Sequence, residues 1–150
     1  MGRKVRDRIT GKEGIVVMIF HWITGCDTVI FEEKDGKTQA AEVPRVEIMD
    51  DSVLEGVTEE APHEYLKNLG KKGRDRITGY EGVVIGLCRH AFRASQYCLI
   101  PPAKDGRVGG SELMDCSRVE FPEEEPIIEA ESVQDKTAGA FSIPKKQSFI

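Results

Sequence analysis

Cys88 and His90 stand two residues apart, a spacing that puts two side chains on one face of a strand. A thiol beside an imidazole is the raw material of a nucleophile–base pair. That chemistry also needs a third group to orient the base, and the sequence offers none in evidence. The other cysteines, Cys26, Cys98 and Cys116, form no C-x-x-C pair, and His21 and His63 are scattered. Zinc spacing is therefore absent, and neither metal nor cofactor is expected. Reduced, buried thiols are the expectation. Glu13 and Glu81 recur at equivalent places and invite an acid–base reading. Each adjoins a glycine, however, and reads as charge at a hairpin tip. Phosphate-cradling glycine loops, nucleophile elbows and H-E-x-x-H are missing. No catalytic residue is assigned, and the chain is expected not to be an enzyme.

The elements that hold these residues come in two copies. "RDRITGKEG" at 6–14 returns as "RDRITGYEG" at 74–82. The same order holds further on, where Asp35-Gly36 is matched by Asp105-Gly106 and Arg45-Val46-Glu47 by Arg118-Val119-Glu120. Three anchors with slowly drifting offsets indicate a duplicated domain rather than a short solenoid.

Each copy reads as β. Its opening segment alternates weakly, with Asp7 spoiling the apolar face. Thr10-Gly11 and Gly14, repeated as Thr78-Gly79 and Gly82, are expected turns in which glycine supplies a positive φ. Residues 15–20 and 82–88 are apolar and rich in β-branched side chains, as core strands are. Residues 28–32 and 96–100 form the next strands. Asp35-Gly36 and Asp105-Gly106 are hairpin signals. Residues 38–43 and 112–114 return, and 46–49 and 119–121 close each set. Four or five short strands in about 50 residues predict a small SH3-like barrel. Thr58–Gly70 reads as a short connecting helix, with Thr58 as N-cap and Gly70 as C-cap. The chain is thus expected to be mostly β, with two tandem SH3-like barrels at 1–56 and 72–122. A helical linker at 57–71 joins them, and an extended C-terminal arm occupies 123–150.

The net charge of −5 over 150 residues argues against a chain-wide nucleic-acid binder. Basic residues gather at the start of each copy and acidic ones follow it, which offers either solvated faces or head-to-tail complementarity between modules or subunits. The longest apolar run, 15–20, is too short to span a bilayer, and no signal peptide is visible. Synthesis in a cytoplasm, without membrane attachment, is expected. Two regions differ from the repeated frame. Trp22 in the first copy and Phe92-Arg93 in the second follow the apolar strand, as core packing or as anchors for a protein partner. The arm carries Phe141, Ile143, Phe149 and Ile150, which are too apolar for a solvating tail. It is expected to lie on a neighbouring subunit or on the protein's own barrels.

"VRDRITGKEGIVV" resembles the KOW motif of ribosomal and transcription proteins over about a dozen residues per copy. Across both copies, the D-x-I-T-G-x-E-G turn, Thr24-Gly25-Cys26, Gln96-Tyr97 and the D-G hairpins resemble a family of small bacteriophage proteins. That likeness spans about 3–50 and 72–121, and it carries no functional residue over. It implies a virion component of decoration, collar or baseplate type. Such a component would bind other phage structural proteins, and itself as a homo-oligomer, after synthesis in the host cytoplasm. The alternatives are a KOW-like nucleic-acid-binding module, an early host-modulating protein, and an oligomer that sequesters a small molecule to blunt host defence.

Overall fold

The computed structural model describes residues 1–50, 52 and 62–128. The first copy holds β1 (Lys4–Asp7), β2 (Glu13–Trp22), β3 (Thr28–Glu32), β4 (Thr38–Glu42) and β5 (Val46–Asp50), with a 3-10 turn, Val43–Arg45, before the last. A helix, α1 (Pro62–Leu66), precedes the second copy. There follow β6 (Lys72–Asp75), β7 (Glu81–His90), β8 (Gln96–Ile100), β9 (Glu112–Asp115) and β10 (Val119–Glu120), with a 3-10 turn, Cys116–Arg118, before β10. All ten strands belong to one antiparallel sheet that does not close. The path β10-β6-β7-β2-β1-β5 runs through both copies, with β3-β4 and β8-β9 branching from β2 and β7.

The duplication extends to register. Lys4 faces Ile15 as Lys72 faces Val83, and Val16 faces Phe31 as Val84 faces Leu99. Both long strands carry an irregularity at the same place, between Val16 and Met18 and between Val84 and Gly86. Each copy packs a core of its own. In the first this is Val5, Val16, Val29, Phe31 and Ala41. In the second it is larger, with Val84, Leu87, Tyr97, Leu99 and Val119 joined by Ile23 from the first copy and Leu69. Tyr97 satisfies its buried hydroxyl by donating to the Tyr65 carbonyl and accepting from Asn68, both at 3.0 Å. This fastens α1 to the second copy.

Asp7 does not spoil the opening strand, because its carboxylate belongs in the core. Asp7 is 3% exposed and Asp75 is fully buried. Each accepts the amide two residues on, Ile9 at 3.0 Å and Ile77 at 3.2 Å, and the hydroxyl of Thr10 or Thr78. Such Asx geometry builds the turn from the side chain. Each is then gripped by an arginine of the third anchor: Arg45 reaches Asp7 at 2.7 and 3.3 Å, and Arg118 reaches Asp75 at 2.6 and 3.1 Å. The neighbouring pair runs the other way, with Arg6 bound to Glu47 and Arg74 to Glu120. The Arg-Asp of the first anchor and the Arg-x-Glu of the third are therefore one device, used twice. Its hydrogen bonds hold both aspartates below the ordinary carboxylate range. The Ile9 amide contributes most at Asp7, and the Arg118 guanidinium followed by Thr78 at Asp75.

Two of the expected turn glycines have another cause. Gly11 and Gly79 sit at φ +75° and +77°, in open space, as a turn requires. Gly14 and Gly82 are instead the second residues of β2 and β7 and lack a positive φ. A Cβ at Gly82 would lie 2.7 Å from the Ile100 carbonyl oxygen, and one at Gly14 would collide with the Glu32 carbonyl. Glycine there admits the backbone of the neighbouring strand. At the hairpins, Gly36 has φ +85°, while Asp105 and Gly106 both have positive φ, at 54° and 72°. The second hairpin therefore has the twist of a primed turn.

Residues 58–61 of the expected helix lie outside the described residues, and α1 occupies part of the rest. Gly70 takes the left-handed conformation at φ +87° expected of a cap. The arm is described only to residue 128, where the Ile127 amide donates to the Gly70 carbonyl at 2.8 Å. Phe141, Ile143, Phe149 and Ile150 lie outside the described residues.

Candidate interaction site

The two copies meet where β2 pairs with β7. Met18 faces His90, Ile19 faces Arg89, Phe20 faces Cys88, His21 faces Leu87, and Trp22 faces Gly86. The offset of 68 that aligns the copies carries Met18 onto Gly86 and Trp22 onto His90. The pairing therefore maps onto itself, with Phe20 and Cys88 on a local two-fold axis. Its two ends are also equivalent. Ala91 donates its amide to the Val17 carbonyl, and Ile23 donates to the Ile85 carbonyl, each at 2.8 Å. Val17 and Ile85 are the residues at the strand irregularities, so each irregularity frees a carbonyl for the other copy.

Trp22 lies in this junction, half-buried, with its ring close over Gly86: an added Cβ there would lie 2.8 Å from the ring. It stacks on Phe20 at 5.1 Å and donates Nε1–H to the Thr28 hydroxyl at 3.2 Å. Beside it, His21 Nδ1 meets Asp27 at 2.8 Å.

Cys88 and His90 are both buried, with Sγ and Nε2 3.5 Å apart. Arg93 Nε–H donates to Nδ1 of His90 at 3.3 Å, which leaves the imidazole proton on Nε2. From there it is donated to Gln96 Oε1 at 3.0 Å, and the Gln96 amide donates in turn to Asp115 at 3.1 Å. With its Nε2 proton given to Gln96, the imidazole offers Cys88 no lone pair. Burial pushes the thiol up to about 11. This arrangement keeps the Cys88 thiol protonated. In a folded sample near pH 8, a small alkylating reagent is therefore expected to spare Cys88, Cys98 and Cys116, which are buried. All three should label once denaturant is added, while the half-buried Cys26 labels first. Mass spectrometry of the alkylated peptides reads the order, and early labelling of Cys88 would contradict it.

Phe92 has the opposite fate to Trp22. It is 57% exposed at the far end of the junction. It borders a cleft of about 800 Å³ floored by Ile15 and Val17 and bounded by Lys4, Gly11, Glu13 and Gly14 together with Glu32, Glu33, Lys34 and Asp35. Four carboxylates against two lysines give the cleft an acidic rim around an apolar floor. Arg93, also exposed, is turned back onto His90.

Two isoleucines that sequence reasoning passed over stand at the repeated turns. Ile9 is 72% exposed and Ile77 is 73% exposed. Arg8 lies 3.7 Å from Glu47, whereas Arg76 makes no ion pair among the described residues. The signal was available: the isoleucine occurs identically in both copies, beside the turn arginine, at a position whose geometry does not ask for it.

Protein-family models, curated proteins and solved structures were compared with the chain, and none of them matches. Among the described residues, no helix is long and apolar enough to cross a membrane, and no group of three or more His, Cys, Asp or Glu side chains could hold a metal ion.

Proposed function

We propose that this chain is a non-enzymatic bacteriophage structural protein, a virion component of decoration, collar or baseplate type that binds a repeating protein surface. The observation that carries the reading is the acid-rimmed cleft with Phe92 exposed on its border, because a large ring left in water beside an apolar floor is the usual form of a protein-binding anchor. We read each copy as an SH3-like barrel. The order β5-β1-β2-β3-β4, with a 3-10 turn before the last strand, supports that reading. The phage assignment rests on the repeated D-x-I-T-G-x-E-G turn. Nucleic-acid binding ranks lower, since Arg6, Arg45, Arg74 and Arg118 are engaged by carboxylates rather than presented to phosphate.

Mass spectrometry of purified particles of the encoding phage is expected to find the protein in many copies. Its absence from particles would overturn the assignment. Removing residues 137–150 is expected to leave both copies folded while attachment to particles is lost; unfolding of the truncated chain would instead place that segment in the core.

A further inference from the structure

We infer that the Arg76-Ile77 turn of one molecule docks into the Phe92 cleft of a second copy, so that the chain associates head to tail. The inference rests on the reading of the protein as an interaction module and names one of its partners as itself.

The turn comes first. Asp75, Thr78 and Gly79 are explained by the turn they build, Arg74 by Glu120, and Gly82 by the approach of β8. Arg76 and Ile77 are left over. Ile77 is 73% exposed on a turn fixed by a buried aspartate, so it is presented rigidly and at little entropic cost. Its neighbour Arg76 is exposed and makes no ion pair among the described residues. A cation beside a β-branched apolar tip, both held out from the fold, fits a receptor with an apolar floor and an acidic edge.

The first copy carries such a receptor. Ile15 and Val17 floor the cleft, Phe92 walls it, and Glu13, Glu32, Glu33 and Asp35 outweigh Lys4 and Lys34 on its rim. The local two-fold does not repeat it on the second copy. The position of Phe92 is taken there by Thr24, and Ile85, the counterpart of Val17, packs with Tyr65 and Leu66 of α1 against the second core. Glu32 and Glu33 are replaced by Ile100 and Pro101, which leaves Glu81 and Asp105 against Lys72 and Lys104 and takes away the acidic excess. The other tip, Arg8-Ile9, belongs to the same turn as Gly11 on the cleft's own border, and its arginine already leans on Glu47. Tip and receptor therefore lie on different copies, which makes the contact heterologous and able to propagate.

The test uses the full chain in sedimentation velocity from about 10 µM to about 1 mM, the range suited to a small, weak contact. The weight-average mass is expected to rise with concentration, and the rise to shrink as salt is added. Ile77→Asp and Phe92→Ser, both at exposed positions, are each expected to weaken association at least about ten-fold, while Ile9→Asp leaves it unchanged. The decisive sample mixes the first two variants. One retains a cleft and the other a tip, so together they should form one-to-one dimers and nothing longer. A monomer at every concentration, association that survives Ile77→Asp, or failure of the mixture to pair would overturn the inference. None of these results would bear on presence in particles, which mass spectrometry of the virion decides separately.

Discussion

Arg118→Ala is expected to lower the melting temperature by on the order of 10 °C, and Asp75→Asn by clearly less. The asymmetry follows from where the two partners end up. Asp75 is fully buried, and without Arg118 its charge keeps only the Thr78 hydroxyl and the turn amides. Arg118 is about a third exposed, so without its partner it can turn to water. Acid titration separates Arg118→Ala from the wild type. The folded value of Asp75 lies well below its ordinary 3.8, chiefly through the Arg118 hydrogen bonds. A depressed folded value means that the stabilisation is complete above the unfolded value. It is lost as pH falls from there through the folded value. The wild type should therefore lose stability progressively below about pH 4. In Arg118→Ala the main cause of the depression is gone while burial still opposes charge, so the acid limb flattens. Thermal melts between about pH 2 and pH 7 measure both effects. Equal losses in the two variants, or an acid limb of Arg118→Ala parallel to that of the wild type, would contradict the assignment of Asp75 as the buried, dependent partner.

Gly82→Ala is expected to cost about 1–3 kcal/mol, the range for forcing extra volume into a packed region. The new methyl would meet the Ile100 carbonyl oxygen at 2.7 Å, its carbon at 2.9 Å and the Ile100 nitrogen at 3.2 Å. These are backbone atoms of a paired strand and have no rotamer by which to retreat. Gly14→Ala meets the same obstacle at Glu32, together with the Phe31 ring at 2.8 Å. Three residues earlier the rule changes. Gly79 has nothing within 4 Å of an added Cβ, and only its φ of +77° restricts it. Asparagine tolerates that conformation, so Gly79→Asn should cost no more than about 1 kcal/mol. Urea denaturation of the purified variants compares them directly. If Gly79→Asn proved more damaging than Gly82→Ala, the close-approach explanation would fall.

The strands were legible in the sequence because their signals are local. Alternation, β-branched runs and the two Asp-Gly dipeptides placed the hairpins within a few residues. The same locality misread Asp7. Beside Val5 and Ile9 it looks like a flaw in an apolar face, and only Arg45, 38 residues away, makes it a core residue. The third anchor is visible as a matching string, but a string does not say what its arginine grips. Gly14 was misattributed for a related reason: a turn glycine and a glycine admitting a neighbouring strand are the same letter. The cleft was not legible at all. It forms where Phe92, on the second copy, reaches residues of β2 and of the loop after β3 in the first. That proximity follows from the β2–β7 pairing, which no periodicity within either copy encodes.

The local two-fold axis through Phe20 and Cys88 also bears on what such a molecule is free to become. Two identical subunits meeting across that axis would have to change both ends of their contact at once, since every substitution would appear twice. Joined in one chain, the ends can be edited singly. Tryptophan faces glycine at one end while methionine faces histidine at the other, and a phenylalanine stands where the opposite end has Thr24. The backbone keeps the economy of a symmetric pair, and the side chains escape its bookkeeping. A contact surface with one distinct face, and hence a direction, becomes available to a protein assembled from two nearly equal parts.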